Sequence, residues 1–219
     1  IQFIDGDDYI RQAAYEHCLD IVRYHQPDIV TFNYCKNNKN IEPSYELPTP
    51  VTGTNFLNNN NLHGAAWSYI FRHSIVGNLQ FTPKIVYGED EEFTPQLFLR
   101  AERIFKTNTE AYFYRDNKNS VSHQYTKEKI QLRMDNSLEV LLHLQQLLDK
   151  LPIAERQALS RRIAQLSMDY LYNNIRLHHS LTSLNQAINN LREHGLYPLP
   201  DKKYLSLIHI SEPTRPRLI

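Results

Sequence analysis

Two hydrophobic periods divide this chain. Up to about residue 125 the apolar positions come in short β-branched or aromatic runs, broken by Asn, Asp, Gly and Pro. From Thr126 onward they recur at spacings of three and four over long stretches. The first pattern predicts short strands alternating with helices, and the second predicts long amphipathic helices. Ile1-Gln2-Phe3-Ile4 reads as a buried strand, and Tyr9–Tyr24, with Ile10, Ala13, Ala14, Cys18, Ile21 and Val22 on one face, reads as a helix. Asp7 or Asp8 is placed to cap that helix, and Pro27 stops it. Asp28–Tyr34 reads as a second strand, so the opening is a βα unit of a parallel or mixed sheet.

Lys36–Thr52 is an Asn- and Pro-rich loop, and Thr54–Leu62 has material for one or two helical turns. Leu79-Gln80-Phe81 and Ile85-Val86-Tyr87 are short strand candidates around Pro83. Four acids, Glu89 to Glu92, precede Phe93-Thr94-Pro95 and suit the positive end of a helix. Ile104–Thr107 and Ala111–Arg115 read as a strand pair, with Asn108-Thr109 between them and turn residues at Asp116–Asn119. Helices are predicted over Lys127–Asp149, Ile153–His178 and Ser180–Arg192, broken at Pro152. The expected organisation is an α/β domain over 1–125 and a helical extension with its own small core over 126–204.

Composition narrows the class. With 41% hydrophobic and 22% charged residues the chain is an ordinary globular protein rather than a disordered or membrane-spanning one. Lysine plus arginine equals aspartate plus glutamate at 24 each, which offers nothing to a nucleic-acid partner. The charge is uneven: residues 1–125 hold 11 basic and 15 acidic side chains, a net of −4, and residues 126–204 hold 11 and 8, a net of +3. The basic half leaves room for a weak peripheral contact with an anionic membrane surface. Two cysteines without ligand spacing, no signal peptide and no membrane-length apolar run point to a reducing, cytoplasmic setting, at most peripheral to the inner face of the cell membrane. The chain begins without Met inside a strand-like run, which suggests that a preceding segment is missing. Leu205–Arg215, LSLIHISEPTR, reads as the in-frame translation of a sequencing adapter, so 205–219 is set aside as a non-native tail.

Two acidic stretches carry the candidate chemistry. Asp5-Gly6-Asp7-Asp8 ends an apolar run with a glycine that permits a sharp turn. Carboxylates crowded at a strand's carboxyl end repel one another, and a hard cation such as Mg²⁺ or Mn²⁺ offsets that repulsion. A solvated acidic cap for the following helix accounts for the same residues equally well. Gly88-Glu89-Asp90-Glu91-Glu92 poses the same choice between chemistry and helix capping.

Taken in order, Ile4–Ile10, the Trp67–Phe71 segment, Asn78–Phe81, Gly88–Phe93 and Tyr112–Arg115 followed by Ser120-Val121-Ser122 resemble the family 2 glycosyltransferases, in particular bacterial enzymes that build capsular, exopolysaccharide or lipopolysaccharide chains. The resemblance covers residues 1 to about 125. It implies a partial GT-A, Rossmann-like sheet lacking the nucleotide-binding half, and a parent enzyme that transfers a sugar with inversion from a nucleotide-sugar donor to a glycan or lipid-linked acceptor. It further implies Asp7 as a ligand of Mg²⁺ or Mn²⁺, with Asp5 sharing the metal or facing the nucleotide's ribose. Asp90 is the implied catalytic base, with Glu89 beside it contacting acceptor hydroxyls. Trp67 is an apolar floor for a sugar ring or a core residue. Tyr69 stands where many relatives carry Lys, and His123, where some offer a further metal or phosphate contact, stays outside the expected metal site. On these terms the fragment alone binds no donor. Two other readings stay open: a nucleotidyltransferase or metal-dependent phosphohydrolase, and a non-enzymatic degenerate domain acting through its helices.

Overall fold

The computed structural model describes residues 1–36, 47–115 and 125–202. His123, Ser120-Val121-Ser122, the Asp116–Asn119 turn, most of the Asn-rich loop and the 205–219 tail lie outside the described residues. Among the described residues four strands form one mixed sheet in the order β1-β4-β2-β3, where β1 is Tyr9–Ile10, β2 Ile29–Cys35, β3 Tyr69–Phe71 and β4 Ile104–Phe113. Strands β2 and β4 run parallel, and the two outer strands are antiparallel to their neighbours. The α/β class read from the sequence is the class observed.

The central strands are buried on both faces, as their β-branched and aromatic content requires. Ile29 and Ile104 turn to one side and pack with Phe56 and Leu57 of α2 (Gly53–Asn59) and with Phe93, Leu97 and Phe98 of α4 (Glu89–Leu99). Val30, Phe32 and Phe105 turn to the other, against Ala14, Cys18 and Ile21 of α1 (Gln12–His25). The free thiol of Cys18 is fully buried there, and burial pushes its pKa up to about 11, so it acts as a small apolar filler.

The predicted strand pair over 104–115 is instead a single strand. Asn108-Thr109 stays extended because β2 runs alongside: the Thr107 hydroxyl donates to the Thr31 carbonyl (2.8 Å) and the Asn33 amide to the Asn108 carbonyl (3.2 Å). Register shifts between Thr31 and Tyr34 absorb the mismatch. The strand candidates around Pro83 form no strand; they are irregular segments on either side of a turn at Pro83-Lys84. Lys84 has a left-handed φ of +75°, and the Val86 and Tyr87 N–H groups donate to the buried Asn136 side chain (3.0 and 3.3 Å) rather than to a neighbouring strand. The opening run is not a buried strand. Gln2 makes one antiparallel bridge to Ile70 at the edge of the sheet, and Ile1, Phe3 and Ile4 remain partly exposed. Phe3 gains its apolar contacts from the rings of Phe71, Phe81 and Phe93.

After a four-residue helix, α3 (His73–Val76), and α4, the second hydrophobic period folds as expected. Its elements are α5 (Lys127–Leu147), α6 (Ile153–His178) and α7 (Leu181–Glu193), with a 3₁₀ turn at Leu148–Lys150 before Pro152. Thr126 and Ser180 cap α5 and α7 by accepting N–H bonds from Lys129 and Ser183. These helices enclose a core of their own that includes Met134, Val140, Leu141, Leu144, Leu159, Ile163 and Leu191. Ala158 of α6 also joins the core beside α2 and α4, so the helical region is seated against the α/β layers.

Candidate functional site

Two acidic segments distant in sequence meet beside a cluster of aromatic rings. The first is a turn in which the Asp8 N–H donates to the Asp5 carbonyl (3.1 Å). Gly6 at its corner lacks a positive φ, and open space surrounds the position of a Cβ there, so the turn does not depend on glycine. Neither Asp7 nor Asp8 caps α1. That helix begins after Arg11 without a side-chain cap, because Tyr9–Ile10 first pairs with β4. Asp8 serves the sheet instead, accepting the Arg115 N–H at 2.7 Å.

The second segment opens α4. Its N-cap, Gly88, has φ +83°, a left-handed backbone that a side chain strains. The four acids that follow meet different neighbours. Glu92 is buried, accepts the Thr82 hydroxyl (2.9 Å) and pairs with His143 of α5 (2.9 Å). Glu91 pairs with the buried Arg162 of α6, and Gly64 leaves room for its carboxylate: a Cβ at Gly64 would fall 2.0 Å from it. Asp90 accepts the Ala66 N–H through Oδ2 at 3.0 Å. Burial pushes the Asp90 pKa up to about 6, opposed by the Ala66 bond and reinforced by Glu89, Glu91 and Asp5. The Glu89 pKa is also raised, by burial first and then by Asp5 and Glu91. Asp5 is raised by burial and by its neighbours Asp8 and Asp7. Asp5 is thus the residue through which the two segments feel one another, and the influence of Asp7 is registered at Asp5.

Aromatic side chains link the segments mechanically. Ala66 and Trp67 share a single 3₁₀ turn, Ala66–Ser68. The Trp67 indole stacks on Tyr112 (4.5 Å between centroids, 16° between planes), and the Tyr112 hydroxyl accepts the Asp5 N–H at 3.1 Å. Burial, with the Asp8 and Asp5 charges, raises the Tyr112 pKa far enough to keep this hydroxyl protonated. Trp67 is 8% exposed, with Tyr34 edge-on to it at 5.1 Å. This placement makes it part of the core and leaves only a small edge for a ligand. Sequence reasoning did not single out Tyr112, because a tyrosine in an aromatic strand looks like any other core residue. Arg162 and His143 were missed because nothing in a helical period says which distant carboxylate a basic residue will meet.

Among the described residues no group of three His, Cys, Asp or Glu is arranged to hold a metal ion. Asp5 and Asp7 offer two carboxylate donors. That suits a Mg²⁺-type ion whose shell is completed by waters and substrate phosphates rather than by a protein cage. No helix among the described residues is long and apolar enough to cross a membrane.

No family model matches the chain. It is 28% identical over 134 residues to the uncharacterized glycosyltransferase EpsJ of Bacillus subtilis strain 168, covering 56% of this chain and 39% of that protein. It is 22% identical over 116 residues to the poly(ribitol-phosphate) beta-N-acetylglucosaminyltransferase TarS of Staphylococcus aureus strain Mu50, covering 52% of this chain and 20% of that one. The chain therefore spans well under half the length of these relatives. Among solved structures it resembles S. aureus TarS 1–349 in complex with UDP-GlcNAc, with a TM-score of 0.58 and 19% identity over 88% of this chain and 55% of that one. TarS 1–349 without that ligand gives a TM-score of 0.58 and 20% identity over 87% and 53%. The shared fold extends into the helical region, whereas the sequence likeness covers about half of the chain.

Proposed function

We propose that this chain is the acceptor-side part of a family 2 type, GT-A glycosyltransferase that moves a sugar, with inversion, from a nucleotide-sugar donor to a growing surface glycan. The observation that carries this reading is the run of contacts from the acidic turn to the Glu-Asp helix start: the Asp5 N–H donates to the Tyr112 hydroxyl, Tyr112 stacks on Trp67, and the Ala66 N–H in the same 3₁₀ turn donates to Asp90. Likeness to proteins named glycosyltransferases, one of them solved with UDP-GlcNAc, supports the reaction class and a nucleotide-sugar donor.

Asp90 acts as the base in this reading. Its Oδ2 is occupied by the Ala66 N–H, leaving Oδ1 to take the proton of the attacking acceptor hydroxyl. As the new C–O bond forms, the bond from the anomeric carbon to the donor's phosphate oxygen breaks, and its electron pair leaves with the nucleoside diphosphate. A carboxylate with a pKa near 6 is ionised at neutral pH yet more basic than an ordinary aspartate, which suits proton abstraction from an alcohol. Glu89 helps hold the acceptor hydroxyls and, as a nearby negative charge, keeps the basicity of Asp90 high. Asp7, with Asp5, would hold Mg²⁺ or Mn²⁺, which when bound offsets negative charge on the departing diphosphate. In the same reading Asp5 also faces the ribose of the donor. Trp67 offers a ring edge to the sugar while its stacking on Tyr112 keeps the Ala66 N–H in place for Asp90. We place the reaction in the cytoplasm, at or near the inner face of the membrane.

The test uses the complete protein that contains this chain, with UDP-GlcNAc as the first donor probe and other sugar nucleotides after it. Asp90→Asn is expected to lower turnover by about 10²–10⁴-fold with KM little changed. Near-wild-type transfer overturns the base assignment. Release of pyrophosphate or inorganic phosphate without glycoside formation favours a nucleotidyltransferase or phosphohydrolase.

A further inference from the structure

The helices contain a second polar site, lined by none of the residues of the acidic cluster. A cavity of about 240 Å³ opens between α5, α6 and α7. Tyr170, Asn174 and His178 line it from one face of α6 at i, i+4 and i+8, and Ser183, Gln186 and Asn190 line it from α7 at i, i+3 and i+7. Asp135 of α5 closes the third side. Inward-facing positions of a helical bundle are ordinarily apolar, so a stripe of amides and hydroxyls on facing helices needs a reason.

The polar groups are partly committed to one another. The Asn174 amide donates to the Ser183 hydroxyl (3.2 Å) and the Asn190 amide to the Tyr170 hydroxyl (3.3 Å). Asn174 is only 4% exposed, and its side-chain oxygen is buried without a hydrogen-bond partner. A buried acceptor left unpaired costs stability, and a ligand or water that reaches it recovers that cost.

The lining narrows what the cavity accepts. Among the described residues no lysine or arginine borders it, which disfavours phosphate and other anions. A single carboxylate is too few for a bare divalent cation, and the polar wall is unsuited to an acyl chain. Side chains that both donate and accept, set around a small volume, match a ring bearing several hydroxyls. The volume lies below the range of about 300–1,000 Å³ that holds a drug-sized ligand, so one ring fits and an oligosaccharide does not. We propose that this cavity binds a single uncharged sugar residue. That the sugar belongs to the acceptor glycan rests on the function proposed above; the binding itself follows from the cavity.

The experiment is a titration of the isotope-labelled complete protein that contains this chain with neutral ring sugars (glucose, galactose and N-acetylglucosamine), followed by amide chemical shifts. Saturable shifts confined to the α5–α7 cavity are expected with at least one of them. Asp135→Ala and Gln186→Ala alter exposed rim residues and leave the fold intact, and each is expected to weaken binding by about tenfold. Absence of saturable shifts with every sugar overturns the proposal, as does saturable binding of inorganic phosphate or Mg²⁺ at the cavity in their place. Unchanged affinity in both rim variants also overturns it. Sugar binding to a parent protein that lacks transferase activity would sink the proposed function and leave this site standing. Transfer without sugar binding here would do the reverse.

Discussion

Replacing Asp90 with Asn is expected to stabilise this chain while removing the proposed base. Folding carries the Asp90 carboxyl from an ordinary value of 3.8 up to about 6, mainly by burial. The native state therefore holds a proton that the unfolded chain has released between about pH 4 and pH 6, and stability falls as pH rises through that window. A change of that size corresponds to about 3 kcal/mol at 1.36 kcal/mol per pKa unit. Asp90 is half-buried, and solvent screening reduces the net cost to about 1–2 kcal/mol. Asparagine keeps an oxygen to accept the Ala66 N–H, carries no charge, and presents an N–H₂ group toward the surrounding carboxylates. Urea denaturation of wild type and Asp90→Asn at a series of pH values from 4 to 8 measures the difference directly. The two proteins are expected to converge near pH 4 and to separate by about 1–2 kcal/mol in favour of the variant above pH 6–7. A variant equally stable at every pH, or less stable at pH 8, would refute the claim that Asp90 is held ionised at a cost.

Other perturbations probe the supports of the site. Gly88→Ala places a side chain at φ +83° and is expected to cost about 1–3 kcal/mol by denaturant titration, whereas Gly6→Ala, with open space around its Cβ, is expected to be neutral. Arg162→Met removes the buried partner of Glu91. Breaking a buried pair costs about 3–5 kcal/mol, but Glu91 is 32% exposed at its side chain, so about 2 kcal/mol is expected. Adding Glu91→Gln to that variant should restore part of the loss, and strictly additive effects in the double-mutant cycle would show that the pair does not interact. Asn136→Leu strands the Val86 and Tyr87 N–H groups just before the acidic segment, and a loss of about 2 kcal/mol is expected by thermal or urea unfolding.

Much was legible along the chain. The change of hydrophobic period at Thr126 placed the three long helices: α6 spans the predicted Ile153–His178, and α5 and α7 differ only at their termini. A helix's period and its breakers are local properties, which is why a sequence reports them well. The apolar runs at 29–34 and 104–107 likewise announced strands, which the fold places at the centre of the sheet. Both acidic segments were recognisable as candidates, since several carboxylates close in sequence remain close in space.

What only the tertiary structure decided was pairing. Whether 104–115 forms a hairpin or one long strand depended on β2 lying parallel beside it, a partner about seventy residues away that local propensity does not register. The opening run paired by a single bridge at an edge, and the residues after Pro83 spent their N–H groups on Asn136 of a distant helix. The fates of Glu89 to Glu92 were settled in the same way. Four adjacent acids have similar intrinsic proton affinities, and their neighbours separate them: Glu91 meets the Arg162 guanidinium and Glu92 hydrogen-bonds the His143 ring, both from the helical region, while burial, with Asp5 nearby, raises the pKa of the other two. Composition and period determine which elements form. Long-range contacts determine which carboxylate is paired and which has its pKa raised, because desolvation and charge depend on what the fold brings alongside.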